Sequence, residues 1–286
     1  MELFAPKEIL CAVDLGPSST LVLEWASLFA RALAARADIL HADWAEPPRY
    51  FTSSQIEAIA EESEKRKTKL REELSAMARQ IFGPQAELAV EVVEGHPLSV
   101  LRQRTEDRHP DLVVLGSHGR SGVARLMLGS VAENVVRESA GPVLIARGGE
   151  SAPASIRRIL CPVSFSESAR RCLETSAALA SAFGAALEVL HADQGSGVSP
   201  ETIHDRLCEW LPEKTRRECH ITEIVRHGDA AEQIILQARE HAADLIVIGA
   251  EHRPLLEWST LGTTAERVMR HSPCSVLVLP RGNTRP

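Results

Sequence analysis

Cysteine and aromatic side chains are scarce in this sequence, and no stretch of it is apolar over a long distance. The 286 residues include six cysteines, one tyrosine and four tryptophans, and no two cysteines have the C-x-x-C spacing. A disulfide framework or a zinc site of the usual kind is therefore not indicated, and we expect free, mostly buried thiols. The best apolar run, Leu245–Ala250, is far shorter than the roughly 20 residues that cross a bilayer, so we expect no membrane insertion.

The sequence also has no extended basic block and no leader pattern. Its formal net charge is −7, and its longest basic run, Lys65–Lys67, lies among glutamates, so a nucleic-acid partner is not expected. The chain opens Met-Glu-Leu-Phe, with no basic cluster followed by an apolar core. We therefore expect no secretory signal and a cytoplasmic location.

Motifs that mark several common enzyme classes are absent. The sequence contains no G-x-x-x-x-G-K-[ST] phosphate loop, G-x-G-x-x-G fingerprint, G-x-S-x-G elbow or H-E-x-x-H pair. His118 stands in a glycine-rich segment, where a single histidine is more often a ribose or water contact than a catalyst. We therefore assign no catalytic residue.

The feature that organises the sequence is an internal repeat. The clearest matching segments are Ile9–Cys11 with Ile159–Cys161, Leu40–Asp43 with Leu190–Asp193, and Asp111–Gly116 with Asp244–Gly249. The offset between the copies falls from 150 to 133 positions along the chain, so the first copy carries 17 extra residues. We expect these residues in the charged stretch Glu57–Gln80, as a longer, solvent-facing second helix.

Within each copy, short β-branched runs alternate with helical patterns, which predicts βαβ units and a parallel sheet. The predicted strands of the first copy are Glu8–Val13, Asp38–Ala42, Leu88–Glu94, Leu112–Leu115 and Val143–Ala146. Those of the second copy are Arg158–Val163, Ala186–Ala192, His220–Arg226, Leu245–Ile248 and Ser275–Leu279. The patternless stretch rich in Gly, Ala, Ser and Pro between the copies predicts domains at 1–147 and 156–286, joined by a linker at 148–155.

Glycines cluster after the fourth predicted strand of the first copy. Gly116 ends the strand, Gly119 follows it, and Gly129-Ser130 opens the next helical pattern. Glycines let a ligand approach the backbone closely, and a helix start presents unpaired N–H groups to an anion such as a phosphate. The alternative reading is that these glycines only form tight turns.

The spacing Gly116-x2-Gly119-x9-Gly129-Ser130 resembles the nucleotide-binding motif of the universal stress protein family. The opening Ile9–Asp14, the strand end Leu40–Ala42 and the closing Gly141–Ile145 are also similar to that family. The resemblance covers essentially both copies. It implies two tandem Rossmann-like (HUP-type) α/β domains, each with a five-stranded parallel sheet of order 3-2-1-4-5 and helices on both faces.

The resemblance also implies a ligand. ATP-binding members hold adenine and ribose near the ends of the first two strands, and hold the phosphates against the glycine loop and the following helix start, commonly with magnesium. The matching nucleoside positions are Ala12, Val13, Asp14 and Ala42, and the matching phosphate positions are Gly116, Gly119, Gly129, Ser130, Val131 and Ala132. Any hydrolysis of the bound ATP is expected to be slow at most.

The second copy departs from this pattern. Ser164 replaces Asp14, and His252 replaces Gly119, although Gly262 remains. An imidazole at position 252 would occupy space that a phosphate needs, and the serine removes a carboxylate acceptor. We expect the second copy to bind ATP weakly or not at all; the alternative is a site altered for another small ligand.

Two functions remain open at this point. The first is a cytoplasmic ATP-binding regulator of stress adaptation, acting on a regulatory protein partner that the sequence does not name. The second is a nucleotide-independent scaffold that works by protein–protein contact. The resemblance further implies that the copies pair through Val143–Ala146 and Val276–Leu279, and the whole chain would be a monomer or a homodimer.

Two other candidates carry less weight. His41 and Asp43 recur as His191 and Asp193, and two strand residues at this spacing point the same way, as a metal pair would. Duplication already explains the recurrence, so we assign no metal. Trp44 stands in a loop, where it could stack on an adenine, although an anchoring role for the loop is the simpler interpretation.

Overall fold

The computed structural model of the protein describes residues 4–44, 53–117, 128–164, 166–195, 197–250 and 262–280. The first copy contains β1 (Glu8–Val13), α1 (Ser19–Leu33), β2 (Arg36–Asp43), α2 (Ser53–Phe82), β3 (Leu88–Glu94), α3 (Pro97–Arg108), β4 (Leu112–Gly116), α4 (Ser130–Glu138) and β5 (Val143–Ala146). The second contains β6 (Arg158–Pro162), α5 (Glu167–Phe183), β7 (Ala186–Asp193), α6 (Pro200–Trp210), α7 (Glu213–Glu218), β8 (His220–His227), α8 (Ala230–Glu240), β9 (Leu245–Gly249), α9 (Thr263–His271) and β10 (Ser275–Leu279). Every predicted strand is found, with ends within two residues of the prediction. Among the helices described, none has the length and apolarity that crossing a membrane requires.

The strands form one ten-stranded sheet in the order β3-β2-β1-β4-β5-β10-β9-β6-β7-β8. Each half is parallel and has the order 3-2-1-4-5, which confirms the predicted fold class. The halves meet where β5 and β10 run antiparallel, with Leu144 opposite Leu277 at the centre of the pairing. These are the two segments through which the sequence predicted that the copies pair.

Both faces of the sheet are covered by helices, because its central strands are apolar on both sides. In β1, Ile9, Cys11 and Val13 pack with α1 and α2, whereas Leu10 packs with α3 and α4 on the opposite face. The same alternation runs through the second copy.

The second helix differs between the copies as predicted. Helix α2 has 30 residues, whereas the second copy has the shorter α6 and α7 in its place. The outer surface of α2 is charged, and the helix is tied to β3 where Ser63 donates to Glu94 at 2.9 Å and Lys67 lies 3.3 Å from the same carboxylate. These two contacts, the serine hydrogen bond first, hold the pKa of Glu94 below its usual range.

Candidate functional site

A cleft of about 430 Å³ opens at the carboxyl ends of β1, β2 and β4 in the first copy. Strand order reverses at this point. The chain runs from β1 to β2 on one side of it, and later returns to place β4 on the other side. Parallel α/β sheets bind ligands in the crevice outside such a switch point. The cleft is lined by Ala12, Val13, Asp14, Ser18, Val22, Leu40, His41, Ala42, Trp44, Pro97, Leu101, Leu115, Gly116, Gly129, Ser130, Val131 and Ala132.

Nine of the ten site residues named from the sequence line this one cleft. They are Ala12, Val13, Asp14, Ala42, Gly116, Gly129, Ser130, Val131 and Ala132. The tenth, Gly119, lies outside the described residues, as does His118. The structure thus brings together residues that are more than 100 positions apart in the chain.

Helix α4 points its first turn at the cleft. Gly129 is its N-cap, with extended backbone angles, and its carbonyl accepts the first helical hydrogen bond from Glu133 N at 3.0 Å. Gly129 N in turn donates to the carbonyl of Ser117 at 2.8 Å, which fixes the helix start against the end of β4. The first turn of a helix has N–H groups without helical partners and carries the positive end of the helix dipole, so this corner of the cleft suits an anion.

Asp14 supplies a carboxylate at the end of β1. Its Oδ1 accepts hydrogen bonds from Gly16 N at 2.9 Å and from the Ser19 hydroxyl at 3.2 Å, which joins the strand end to the start of α1. A Cβ at position 16 would lie 3.0 Å from both carboxylate oxygens, so only glycine fits there without moving Asp14. The carboxylate is therefore held in one orientation at the edge of the cleft.

The rest of the wall is largely apolar, and part of it was not predicted. Leu101 and Pro97, from the first turns of α3, close the cleft opposite the strand ends. Trp44 is 48% exposed at the rim, where its ring meets His96 edge-on with centroids 5.4 Å apart. The sequence places α3 after β3, but which of its residues reach the cleft depends on how the helix packs. Apolar walls with a few polar groups are typical of small-molecule sites.

His41 and Asp43 have separate partners. The Nδ1 of the buried His41 lies 2.8 Å from the carbonyl of Val13. Because a carbonyl only accepts, Nδ1 carries the proton, and the ring clamps β2 to the end of β1. Asp43 instead accepts from Arg66 Nε of α2 at 2.7 Å. Within the residues that the structure covers, no group of three or more His, Cys, Asp and Glu side chains is arranged to hold a metal ion.

The corresponding strand end of the second copy is built from hydroxyls instead of a carboxylate. Ser164 takes the place of Asp14, and its Oγ lies 2.9 Å from Ser166 Oγ. Ser166 Oγ in turn lies 3.2 Å from Ser168 Oγ. Ser166 also caps α5 by accepting from Ala169 N. Helix α9 keeps a glycine N-cap, Gly262. His252 lies outside the described residues.

A charged cluster joins α4 to α9 across the boundary between the copies. Glu133 is paired with Arg137 at 2.6 Å on its own helix and with Arg270 of α9 at 3.1 Å. Arg270 also pairs with Glu266 at 2.9 Å, so the pairs repeat with the internal symmetry. Because Glu133 follows Ala132 directly, the cluster begins one residue beyond the cleft.

Solved structures and curated sequences resemble this chain. A universal stress protein from Archaeoglobus fulgidus matches it over 98% of both chains, with a TM-score of 0.73 and 22% identity, which establishes the fold. A universal stress protein of Mycobacterium bovis is 25% identical over 221 residues, covering 71% of this chain and 72% of the relative. One from Thermus aquaticus is 32% identical over 141 residues, which are 49% of this chain and 98% of the relative. Alignments with two universal stress proteins of Methanocaldococcus jannaschii span only 34% and 35% of those proteins.

The family itself is established by a match over nearly the whole chain. The sequence model of the universal stress protein family matches residues 6–147 and, a second time, residues 155–280. The two matches correspond to the two halves of the sheet. The chain therefore belongs to the universal stress protein family and contains the family's domain twice.

Proposed function

We propose that the first copy binds one ATP in the cleft at the ends of β1, β2 and β4. The phosphates lie against the first turn of α4, where Gly129, Ser130 and Val131 contribute backbone N–H groups and Ser130 a hydroxyl. The nucleoside lies between the ends of β1 and β2, beside Asp14 and Ala42. The observation that carries the proposal is that a helix N-terminus, a carboxylate and an apolar wall share one cleft at the switch point.

The donor set suits a nucleotide that brings its own cation. Asp14 is the only acidic side chain among the residues lining the described cleft, and its Oδ1 already accepts two hydrogen bonds. Magnesium usually binds nucleotide phosphates and waters with one or two carboxylates, and needs no cage made wholly of protein. In this proposal magnesium neutralises the triphosphate, and Asp14 faces the nucleoside.

The second copy does not take part in ATP binding. Ser164 offers a hydroxyl engaged with Ser166 where the first copy has a carboxylate. The sequence also places His252 where the first copy has Gly119. The proposal keeps residues 148–155 as the linker between an ATP-binding domain and a domain that has lost the site.

The biological role that follows is a nucleotide-responsive regulator in the cytoplasm, with slow hydrolysis at most. ATP at the start of α4 would act one residue away from the charged cluster that joins α4 to α9. The alternative, a nucleotide-independent scaffold, is favoured by one observation: the second copy keeps the fold although its strand end is rebuilt.

Calorimetry on nucleotide-stripped protein tests the assignment. Titration with MgATP is expected to give one site per chain. Ser130→Ala should weaken binding by about tenfold, because it removes a hydrogen bond to a charged phosphate. The matched change in the second copy, Thr263→Ala, should leave the affinity unchanged. Two equivalent sites, or a loss caused by the Thr263 change, would contradict the proposal, and absence of binding would favour the scaffold.

A further inference from the structure

One cysteine differs from the other five. Cys11, Cys161, Cys172, Cys219 and Cys274 are buried, whereas Cys208 is exposed on α6. Burial raises the pKa of Cys161 and of Cys274 to about 12, and raises that of Cys11 and Cys219 as well. Buried thiols of this kind are chemically inert, so the reactive sulfur chemistry of the described chain is concentrated at Cys208.

A histidine on the same helix is placed to take the thiol proton. His204 is one turn before Cys208, and its Nε2 lies 3.5 Å from the sulfur. Its Nδ1 lies 3.0 Å from a carboxylate oxygen of Glu223 on β8. Because a carboxylate accepts, Nδ1 carries the proton and Nε2 presents its lone pair to the thiol.

An arginine from a third element contacts the same sulfur. Arg216 of α7 donates from Nη1 to Cys208 Sγ at 2.9 Å. Its Nε also donates to the carbonyl of Leu211 at 3.3 Å, which holds the guanidinium against the end of α6. A nearby guanidinium stabilises negative charge on sulfur, and the thiolate is the nucleophilic form of cysteine.

We propose that Cys208 is a modification site, a reactive thiol that His204 and Arg216 activate toward low-molecular-weight disulfides. The thiol proton passes to His204 Nε2, and the sulfur attacks one sulfur of the disulfide. A new S–S bond to Cys208 forms as the old S–S bond breaks, and the departing thiolate takes up a proton. The exchange is balanced without another oxidant, and its product is a mixed disulfide on α6.

The site belongs to this chain's second copy and is independent of the ATP cleft. The first copy has no cysteine between Cys11 and its end, so the repeat did not supply the arrangement. The buried positions of the other described cysteines also leave no second exposed thiol to resolve the mixed disulfide within the described chain. The modification is therefore expected to persist until an external thiol reverses it.

The test is the rate at which the full-length protein is modified by glutathione disulfide, followed by intact-mass spectrometry. The native chain should gain one glutathione, and Cys208→Ser should gain none. A matched control is Cys208→Ser combined with Asp205→Cys, which places an exposed thiol on the same helix directly after His204, where it lacks the one-turn spacing that turns Cys208 toward the imidazole. We expect Cys208 to react about tenfold faster than this control thiol.

Two further variants separate activation from simple exposure. His204→Asn and Arg216→Gln should each slow the reaction of Cys208 several-fold, while circular dichroism shows the fold unchanged. If either variant is misfolded, the reaction rates of Cys208 and of the thiol at position 205 with glutathione disulfide still test whether Cys208 is activated. Equal rates for those two thiols, or modification that persists in Cys208→Ser, would overturn the proposal.

Discussion

Two residue positions show how side-chain size shapes the cleft. Ala42 and Ala192 occupy the same place at the ends of β2 and β7, and both are half-buried. Ala42 lines the cleft together with Ala12 on the neighbouring strand. The small side chain of Ala42 keeps the cleft wide where our proposal places the nucleoside.

A larger side chain at position 42 should fill this part of the cleft. Ala42→Leu should lower the affinity for MgATP by at least about tenfold, because the added side chain would occupy space assigned to the nucleoside. Ala192→Leu is the matched control and should leave the affinity unchanged while making a similar change to a strand end. Calorimetry on both variants measures the two affinities. An equal loss of affinity in both would contradict the placement of the nucleoside in the first copy.

Helix starts are the elements on which both the cleft and the stability of the fold depend. Asp229 caps α8 by accepting from Glu232 N at 3.0 Å, and Arg267 of α9 donates to both of its oxygens at 2.8 Å. The capping bond and then the Arg267 contact lower the pKa of Asp229. By contrast, α4 and α9 begin at glycines without a side-chain cap, which leaves their first turns open toward the strand ends.

Removing the Asp229 cap should therefore cost stability in a pH-dependent way. Asp229→Ala is expected to lower the free energy of unfolding by about 1 kcal/mol at neutral pH. Because the pKa is depressed in the folded state, the contribution is present above the ordinary aspartate pKa of about 3.9 and is lost as the pH falls through the lower folded value. Urea unfolding at neutral and acidic pH measures the difference.

The Asp229 prediction has a control within the second copy. Ser166 caps α5 by accepting from Ala169 N at 3.3 Å, and its hydroxyl has no pKa in the neutral or acidic range. Ser166→Ala should cost less, and its cost should not vary with pH. A pH-independent cost for Asp229→Ala would contradict the role assigned to its charge.

At the scale of the whole molecule, the two copies form a single sheet. Arg147 N donates to Ser275 Oγ, and the Ser275 hydroxyl donates back to the carbonyl of Arg147, both at 3.0 Å. Arg147 Nη1 also donates to the carbonyl of Met269 at 2.8 Å. Leu144 and Ile145 in β5 are fully buried by this arrangement. Without the second copy, β5 would be an open apolar edge, which invites strand pairing.

Residues 1–147 expressed alone should therefore dimerise through β5. Analytical ultracentrifugation of the isolated half should give twice its calculated mass, because a second β5 can replace β10. A soluble, folded monomer at micromolar concentration would show that β10 is not needed to cover the edge.

The strands and the glycine corner of the cleft were predicted from local patterns, whereas the nucleoside positions Ala12, Val13, Asp14 and Ala42 came from the resemblance to the family. Apolar runs identify the strands, and Gly116 and Gly129 identify the loop-to-helix corner. The contributions of Pro97 and Leu101 were not predicted, since they depend on how α3 packs over the strand ends. The contact of Arg216 with Cys208 also depends on packing, because Arg216 lies on α7. The four-residue spacing of His204 and Cys208, by contrast, already places them on one face of a helix.

A crystal structure of the full chain with MgATP tests the central claim most directly. We expect one nucleotide per chain, with its phosphates within hydrogen-bond distance of the N–H groups of Ser130 and Val131 and its base beside Ala12 and Ala42. The strand ends of β6, β7 and β9 should hold none. A nucleotide bound at Gly262 and Thr263, or bound equally in both copies, would contradict the assignment of ATP to the first copy alone.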